Sequence, residues 1–254
     1  MDEALFLSYL DRDHDVLIAS GDPRPLHLDL ELHLLSNAVE QDACSLSLLK
    51  DGLSALALWI VGRPRFEAHG WTISVHEPRL NLFFTGSARE KTVVGRAFHE
   101  HLEPQGRNIF YSQTIWPGGE TRTSSVDVEG NDIFGMVEQY VWRSEQMRAR
   151  FFTRDDRAAL LWPFPGADRA WIEGVRPEEV FVLEAGGRLK LIAENVVRFR
   201  CGCDRERITK VVFEIYKGDA GELFGDERAV EAECPRCGTR HEISRESFEK
   251  LRAH

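Results

Sequence analysis

Two pairs of cysteines near the end of the chain constrain its fold more than any other feature. The stretch "RFRCGCDRERI" holds Cys201 and Cys203 with one residue between them, and "EAECPRCGTRH" holds Cys234 and Cys237 with two between them. Thirty residues separate the pairs. Four thiols spaced in this way match the closed tetrahedral site that zinc prefers, with sulfur about 2.3 Å from the ion. Each pair chelates, so only one long loop has to be closed entropically. Pro235 and Gly238 suit a sharp knuckle whose backbone amides point at sulfur. A tail of about fifty residues buries little core by itself, and a metal makes up the deficit. The expected cofactor is one Zn2+ per chain, with Cys201, Cys203, Cys234 and Cys237 as ligands.

The Cys201–Gly202–Cys203 spacing suggests more than a structural site. An i, i+2 pair in extended chain spans about 6.6 to 7 Å, the upper limit for a disulfide, so bridging needs a bend and some strain. A strained disulfide is readily reduced again, which suits a reversible switch. Arg198, Arg200, Arg205, Arg207 and Lys210 outweigh Asp204 and Glu206 around this pair. Those cations either raise thiolate reactivity or merely offset a doubly negative tetrathiolate zinc centre. His241 could replace a cysteine ligand, but four thiolates already fill the site. Cys44, alone in an apolar stretch, reads as a small buried hydrophobe.

The rest of the chain bounds the setting. Its 254 residues carry a formal net charge of -10, which argues against a free-standing nucleic-acid binder. "MDEALFLSYL" begins acidic and lacks a signal-peptide pattern. "GLSALALWIVG" is too short an apolar run to span a bilayer. The expected location is the cytoplasm, where thiols stay reduced and clustered cysteines read as metal or redox groups.

The sequence predicts an α+β fold: a larger N-terminal antiparallel-sheet-plus-helices domain, a short connector and a small C-terminal zinc-binding module. The boundaries are read as 1–168, 169–198 and 199–254. Residues 4 to 19 form two strands about a "DRDHD" turn, and at least one helix lies in 28–53. From 54 to 128 the apolar residues alternate, as in Leu56, Leu58 and Ile60, in Trp71, Ile73 and Val75, and in Leu80, Leu82 and Phe84, with turns at "GRPR", "HEP" and "PGGE". That pattern reads as an antiparallel sheet with one buried face. Asn131 or Asp132 caps a helix that aligns Ile133, Phe134, Val137, Tyr140, Val141 and Met147. "ARFFTRDDRAALLWPFPGAD" reads as a hairpin, "RPEE" as a helix start and "EAGGRLK" as a turn. Among the aromatics of the strand region, Trp59, Trp71, Phe84, Phe110 and Trp116 read mostly as core, and Phe83 as an outer-face residue.

These residues resemble a known family. "VRFRCGCDRERI" with "VEAECPRCGTRHEI" is similar to the redox module of heat-shock protein 33, the redox-regulated holdase chaperone. "GNDIFGMVEQYVWRSEQM" resembles that family's helix bearing a tyrosine and then Ser-Glu-Gln, here Tyr140, Ser144, Glu145 and Gln146, and the hairpin with its Pro-Gly-Ala turn falls in place after it. The resemblance is specific from about residue 108 onward. It implies a divergent, ATP-independent chaperone, not an enzyme, that binds unfolding client proteins under oxidative stress. It implies that oxidants such as hypochlorous acid form Cys201–Cys203 and Cys234–Cys237 disulfides, release zinc, unfold the tail and linker, and favour a homodimer. No nucleic-acid or membrane partner is implied. The sequence departs from the family in two ways: the 166–197 connector is shorter, and the 28–53 region lacks the usual small-residue helix pair.

A zinc-ribbon-like protein-interaction module, or a constitutive chaperone with a purely structural zinc site, is the alternative. An enzyme has no support: there is no Gly-rich phosphate loop, G-x-S-x-G elbow or H-E-x-x-H. "HEH" at His99–His101 reads as a solvated stretch, "GGE" at 118–120 as a turn, and Glu145 and Gln146 as hydrogen-bonding the helix end.

Overall fold

A computed structural model describes residues 3–253 apart from 64, 65, 101, 104, 105, 119, 120, 187 and 188. The "GRPR", "HEH", "PGGE" and "EAGGRLK" readings therefore fall partly outside the described residues.

The chain opens with an antiparallel hairpin, β1 (Ala4–Asp11) and β2 (Val16–Gly21). Asp11 shapes its turn by accepting from the Asp13 amide at 2.9 Å and from His14 Nδ1 at 2.7 Å. Two helices follow, α1 (Arg24–Ser36) and α2 (Ala43–Val61). Asp42 caps α2 through the Ser45 amide, as short polar side chains do at helix starts. The helix pair expected to be missing is thus present, and Gly52, Ser54, Ala55 and Ala57 give α2 its small buried surface.

Residues 54–61 are the end of α2, not a strand. All eight are buried, so the run has no polar face from which a period could be read. At 19 residues α2 is long and apolar enough to cross a membrane by length and composition, beyond the short run expected, but 72% of its apolar window is buried inside this protein. It is the central core helix. Cys44 lies in its first turn, outside the core contacts, and is exposed rather than buried.

Five strands come next: β3 (Ala68–Val75), β4 (Leu80–Ser87), β5 (Thr92–Phe98), β6 (Asn108–Ile115) and β7 (Arg122–Val128). The inward sets Trp71/Ile73/Val75 and Leu80/Leu82/Phe84 are buried as their alternation predicts. Phe84 is fully buried between two glycines: a Cβ at Gly52 would lie 2.1 Å from its ring, and one at Gly95 2.6 Å. Helix α3 (Ile133–Tyr140) is capped by Asp132, which accepts from the Gly135 amide at 2.9 Å. It continues as a π-helical turn, Val141–Glu145, and ends at Gln146 with φ 57°. Met147 therefore packs on the core from beyond the helix.

The hairpin β8 (Arg150–Arg154) and β9 (Arg157–Pro163) turns at Asp155 and Asp156. The stretch read as connector holds α4 (Arg169–Gly174), α5 (Pro177–Ala185) and most of β10 (Lys190–Phe199). Strand β10 lies inside the large sheet, whose order is β7-β6-β3-β4-β5-β10-β1-β2-β9-β8. It pairs antiparallel with β1 but parallel with β5, through Arg198–Thr92 and Phe199–Val93. One parallel junction thus interrupts an otherwise antiparallel sheet. Helices α1 and α2 cover one face, while α4 and α5 close a second cluster around Val16, Ile18 and Leu161.

The tail adds α6 (Arg205–Ile215), α7 (Ala220–Phe224), a separate hairpin of β11 (Ala229–Glu233) and β12 (Arg240–Ser244), and α8 (Arg245–Glu249). Its small core holds Ile208, Phe224, Ile243 and Phe248 and reaches onto the large sheet at Val94.

One titration is coupled to α2. Burial, and then the nearby Asp132 carboxylate, push Asp51 up to about 6 from 3.8. Its folded-state value is raised, so this stability is present below about pH 4 and is lost as pH rises through about 6. We expect Asp51→Asn to stabilise the protein at pH 7.5 by about 1 kcal/mol, discounted for partial solvent screening, with no gain at pH 4. Urea unfolding at the two pH values checks this; equal effects at both would sink it.

Candidate metal centre

The four cysteines come together. Their sulfurs all lie within 4.8 Å of one another, and the described residues contain no other such group of His, Cys, Asp or Glu. Cys201 and Cys203 arrive on the chain leaving β10, whose Arg200 amide donates to Val93 O at 3.0 Å. Gly202 has φ 68°, which gives the short pair the bend its spacing demands. Cys234 and Cys237 sit in the turn between β11 and β12, closed by the Gly238 amide donating to Cys234 O at 2.8 Å. Gly238 has φ 78°.

Two sulfur contacts are 3.6 Å long, Cys201–Cys234 and Cys203–Cys237, and both run between the pairs. Thiolates about 2.3 Å from a tetrahedral ion stand about 3.8 Å apart, so the spacing fits. Cys234 and Cys237 are each 1% exposed, while Cys201 and Cys203 are half-buried. The first pair is therefore the more accessible to solvent.

The electrostatics also ask for a cation. Hydrogen bonding with Cys234 and Cys237, then burial, push Cys201 far up. Burial, then Cys237, push Cys203 up to about 12. Cys237 is drawn strongly down by hydrogen bonds from Cys201 and Cys234, with a further contribution from His33. The site favours the Cys237 thiolate and resists ionisation of Cys201 and Cys203 unless a positive ion balances them. The donor set fits a metal ion.

The surroundings are partly as expected. His241 Nε2 lies 3.4 Å from Cys203 Sγ, beside the four sulfurs. Of the nearby cations, Arg207 donates to Gly202 O at 2.7 Å and Arg198 pairs with Glu3. Three residues that the sequence did not single out touch the knuckle from the large sheet and α1: His33, Thr85 and Arg96. They lie 138 to 204 residues from their partners, beyond any local spacing signal.

A cleft of about 980 Å³ opens beside the site, over the outer face of β3, β4 and β6, with Phe83, Thr85, Tyr111, Arg200, Cys201 and Arg236 among its walls. His99 is exposed and meets Gln41. Glu145 does not serve the helix end: it accepts from Tyr140 at 3.4 Å and pairs with Arg122 at 3.3 Å, while Ser144 bonds Ser124 at 2.7 Å. The Ser-Glu-Gln stretch thereby ties the π-turn to β7.

Known proteins resemble this chain. The family model described as Hsp33 protein matches residues 164–244. A 33 kDa chaperonin of Vibrio vulnificus is 26% identical over 159 residues, covering 52% of this chain and 55% of that protein. One from Ruminiclostridium cellulolyticum is 32% identical over 89 residues, covering 35% and 30%. The first of these matches spans about half the length of the curated relative, the second less than a third. The crystal structure of a 33 kDa chaperonin, HSP33, from Thermotoga maritima superposes with a TM-score of 0.74 at 17% identity, covering 98% of each chain. The chain thus resembles the heat-shock protein 33 family, in sequence over residues 164–244 and in fold along nearly its whole length.

Proposed function

We propose that this protein is a cytoplasmic, ATP-independent holdase whose tail is a redox switch, with Cys201, Cys203, Cys234 and Cys237 holding one zinc ion in the reduced form. The observation that carries the reading is the gathering of four thiols within 4.8 Å, two half-buried and two buried, at the heart of a small tail core. The chaperone names of its relatives support the client-binding half.

Zinc, when bound, supplies the positive charge that lets four thiolates coexist and cross-links the tail. Hypochlorous acid takes two electrons from a pair of thiolates and leaves as chloride and hydroxide, while a sulfur–sulfur bond forms. We assign the disulfides to Cys201–Cys203 and Cys234–Cys237 by family resemblance; the 3.6 Å contacts run between the pairs and do not select them. Disulfide formation consumes the electron pairs that ligate the ion. The tail then has only Ile208, Phe224, Ile243, Phe248 and their neighbours to hold it folded. Its opening exposes those side chains and Val94, now at most 5% exposed, as apolar surface for unfolding clients. No catalytic group is required. A homodimer in the oxidised form belongs to the same proposal.

Zinc content and aggregation suppression, measured on one preparation before and after hypochlorous acid, test this. The expected result is one zinc per chain when reduced, lost as suppression of a heat-unfolded protein appears. Zinc retained after oxidation, or equal suppression in both states, leaves a structural staple on a constitutive chaperone.

A further inference from the structure

We infer that Arg96 is a positioning residue for the thiol cluster, with His33 and Thr85 as its auxiliaries, so that the site is assembled between the large sheet and the tail rather than by the tail alone. The inference rests on the reading of the four thiols as a metal site.

The knuckle bearing Cys234 and Cys237 meets the large sheet and α1 at three points. Arg96 on β5 donates to Cys234 O at 3.0 Å and pairs with Glu233 at 2.5 Å. Its guanidinium lies 4.8 Å from the Phe98 ring centroid, and its side chain is only 16% exposed. His33 Nε2 lies 2.9 Å from Cys237 O and takes the donor role there. Arg236 reaches the other way, donating to Thr85 Oγ1 on β4 at 2.7 and 3.0 Å. The fit is close: a Cβ at Gly238 would stand 3.1 Å from Val39 and 3.6 Å from Arg96.

The carbonyls of both knuckle cysteines are thus held by side chains from outside the tail. The other cysteine pair is delivered by β10, a strand of the large sheet. One face of the site is therefore fixed by strand pairing and the other by Arg96. Charge-assisted hydrogen bonds of partly buried groups are strong and directional, and partners that orient metal ligands typically set affinity by about 10- to 100-fold. By reciprocity, whatever the clamp adds to metal binding, the metal adds to the clamp. Loss of the ion would loosen the knuckle from β4 and β5.

The experiment uses the full chain. Zinc retention against a chromogenic chelator and amide exchange at residues 234–238 are measured for wild type, Arg96→Ala, Arg96→Lys and Thr85→Val. We expect Arg96→Ala to weaken zinc retention about 10-fold and to speed exchange at the knuckle. Arg96→Lys, which keeps the charge but not the fork, should fall between, and Thr85→Val should show a smaller effect of the same kind. Thermal unfolding of the large sheet serves as the folding control. Zinc retention and knuckle exchange unchanged in Arg96→Ala would overturn the inference. A wild type that binds no metal would instead remove the metal reading, and exchange at 234–238 would still decide whether Arg96 holds the knuckle.

Discussion

Cys237→Ser is expected to abolish stoichiometric zinc binding and to unfold the tail while the large sheet stays folded. Cys237 is 1% exposed, its thiol is drawn strongly down by hydrogen bonds from Cys201 and Cys234, and its carbonyl accepts from His33. Serine keeps the size but not the soft anionic donor, leaving three ligands and an open position. Zinc binding contributes on the order of 10 kcal/mol to isolated zinc-finger peptides, far more than the cluster around Phe248 can replace. Metal analysis should fall from one zinc per chain toward none, and protease should cut within 199–254 of the reduced protein. A variant that retains a full equivalent of zinc would show that three thiolates and His241 suffice.

The second large effect lies in the core. Gly52→Ala places a methyl 2.1 Å from Phe84, whose other side is packed so closely on Gly95 that a Cβ there would stand 2.6 Å from the ring. Neither α2 nor β5 can shift freely, because both are covered on their inner faces. We expect a loss of about 3 kcal/mol, the upper end of ordinary overpacking, read as a lower urea midpoint with unchanged slope. Phe84→Leu in the same chain should recover part of that loss by vacating the ring. If Gly52→Ala alone costs less than about 0.5 kcal/mol, the close packing of Phe84 is not what fixes α2 against β4 and β5.

Much of this architecture is legible in the residues. Alternation marks β3 and β4 because one face is buried and the other open, and Asp132 marks the start of α3 because its carboxylate is the cap. The end of α2 is not legible as helix, since a run buried on every side loses the period that distinguishes helix from strand. Strand β10 is faint for the opposite reason: five of its ten residues are exposed, and only Asn195 and Val197 are buried. At the site, the cysteines announce themselves by spacing. Arg96, His33 and Thr85 do not, because their part depends on a tertiary contact that no local pattern encodes.

The position of β10 also bears on how the chain acquires its structure during synthesis. Until residue 199 leaves the ribosome, β5 and β1 have no neighbour on the sides where β10 will lie, and the sheet exists only as two halves. Each half then presents an open edge to its surroundings, the kind of backbone template that other chains pair with. Its closure joins Ala4 to Val197, one of the longest sequence separations in the molecule, and such long-range pairing is slow to form. A protein proposed to shield others from aggregation is thus itself exposed to aggregation while most of its length has been made. Chain termination between Pro163 and Lys190 should yield insoluble product even though nine of the ten strands of the large sheet are present.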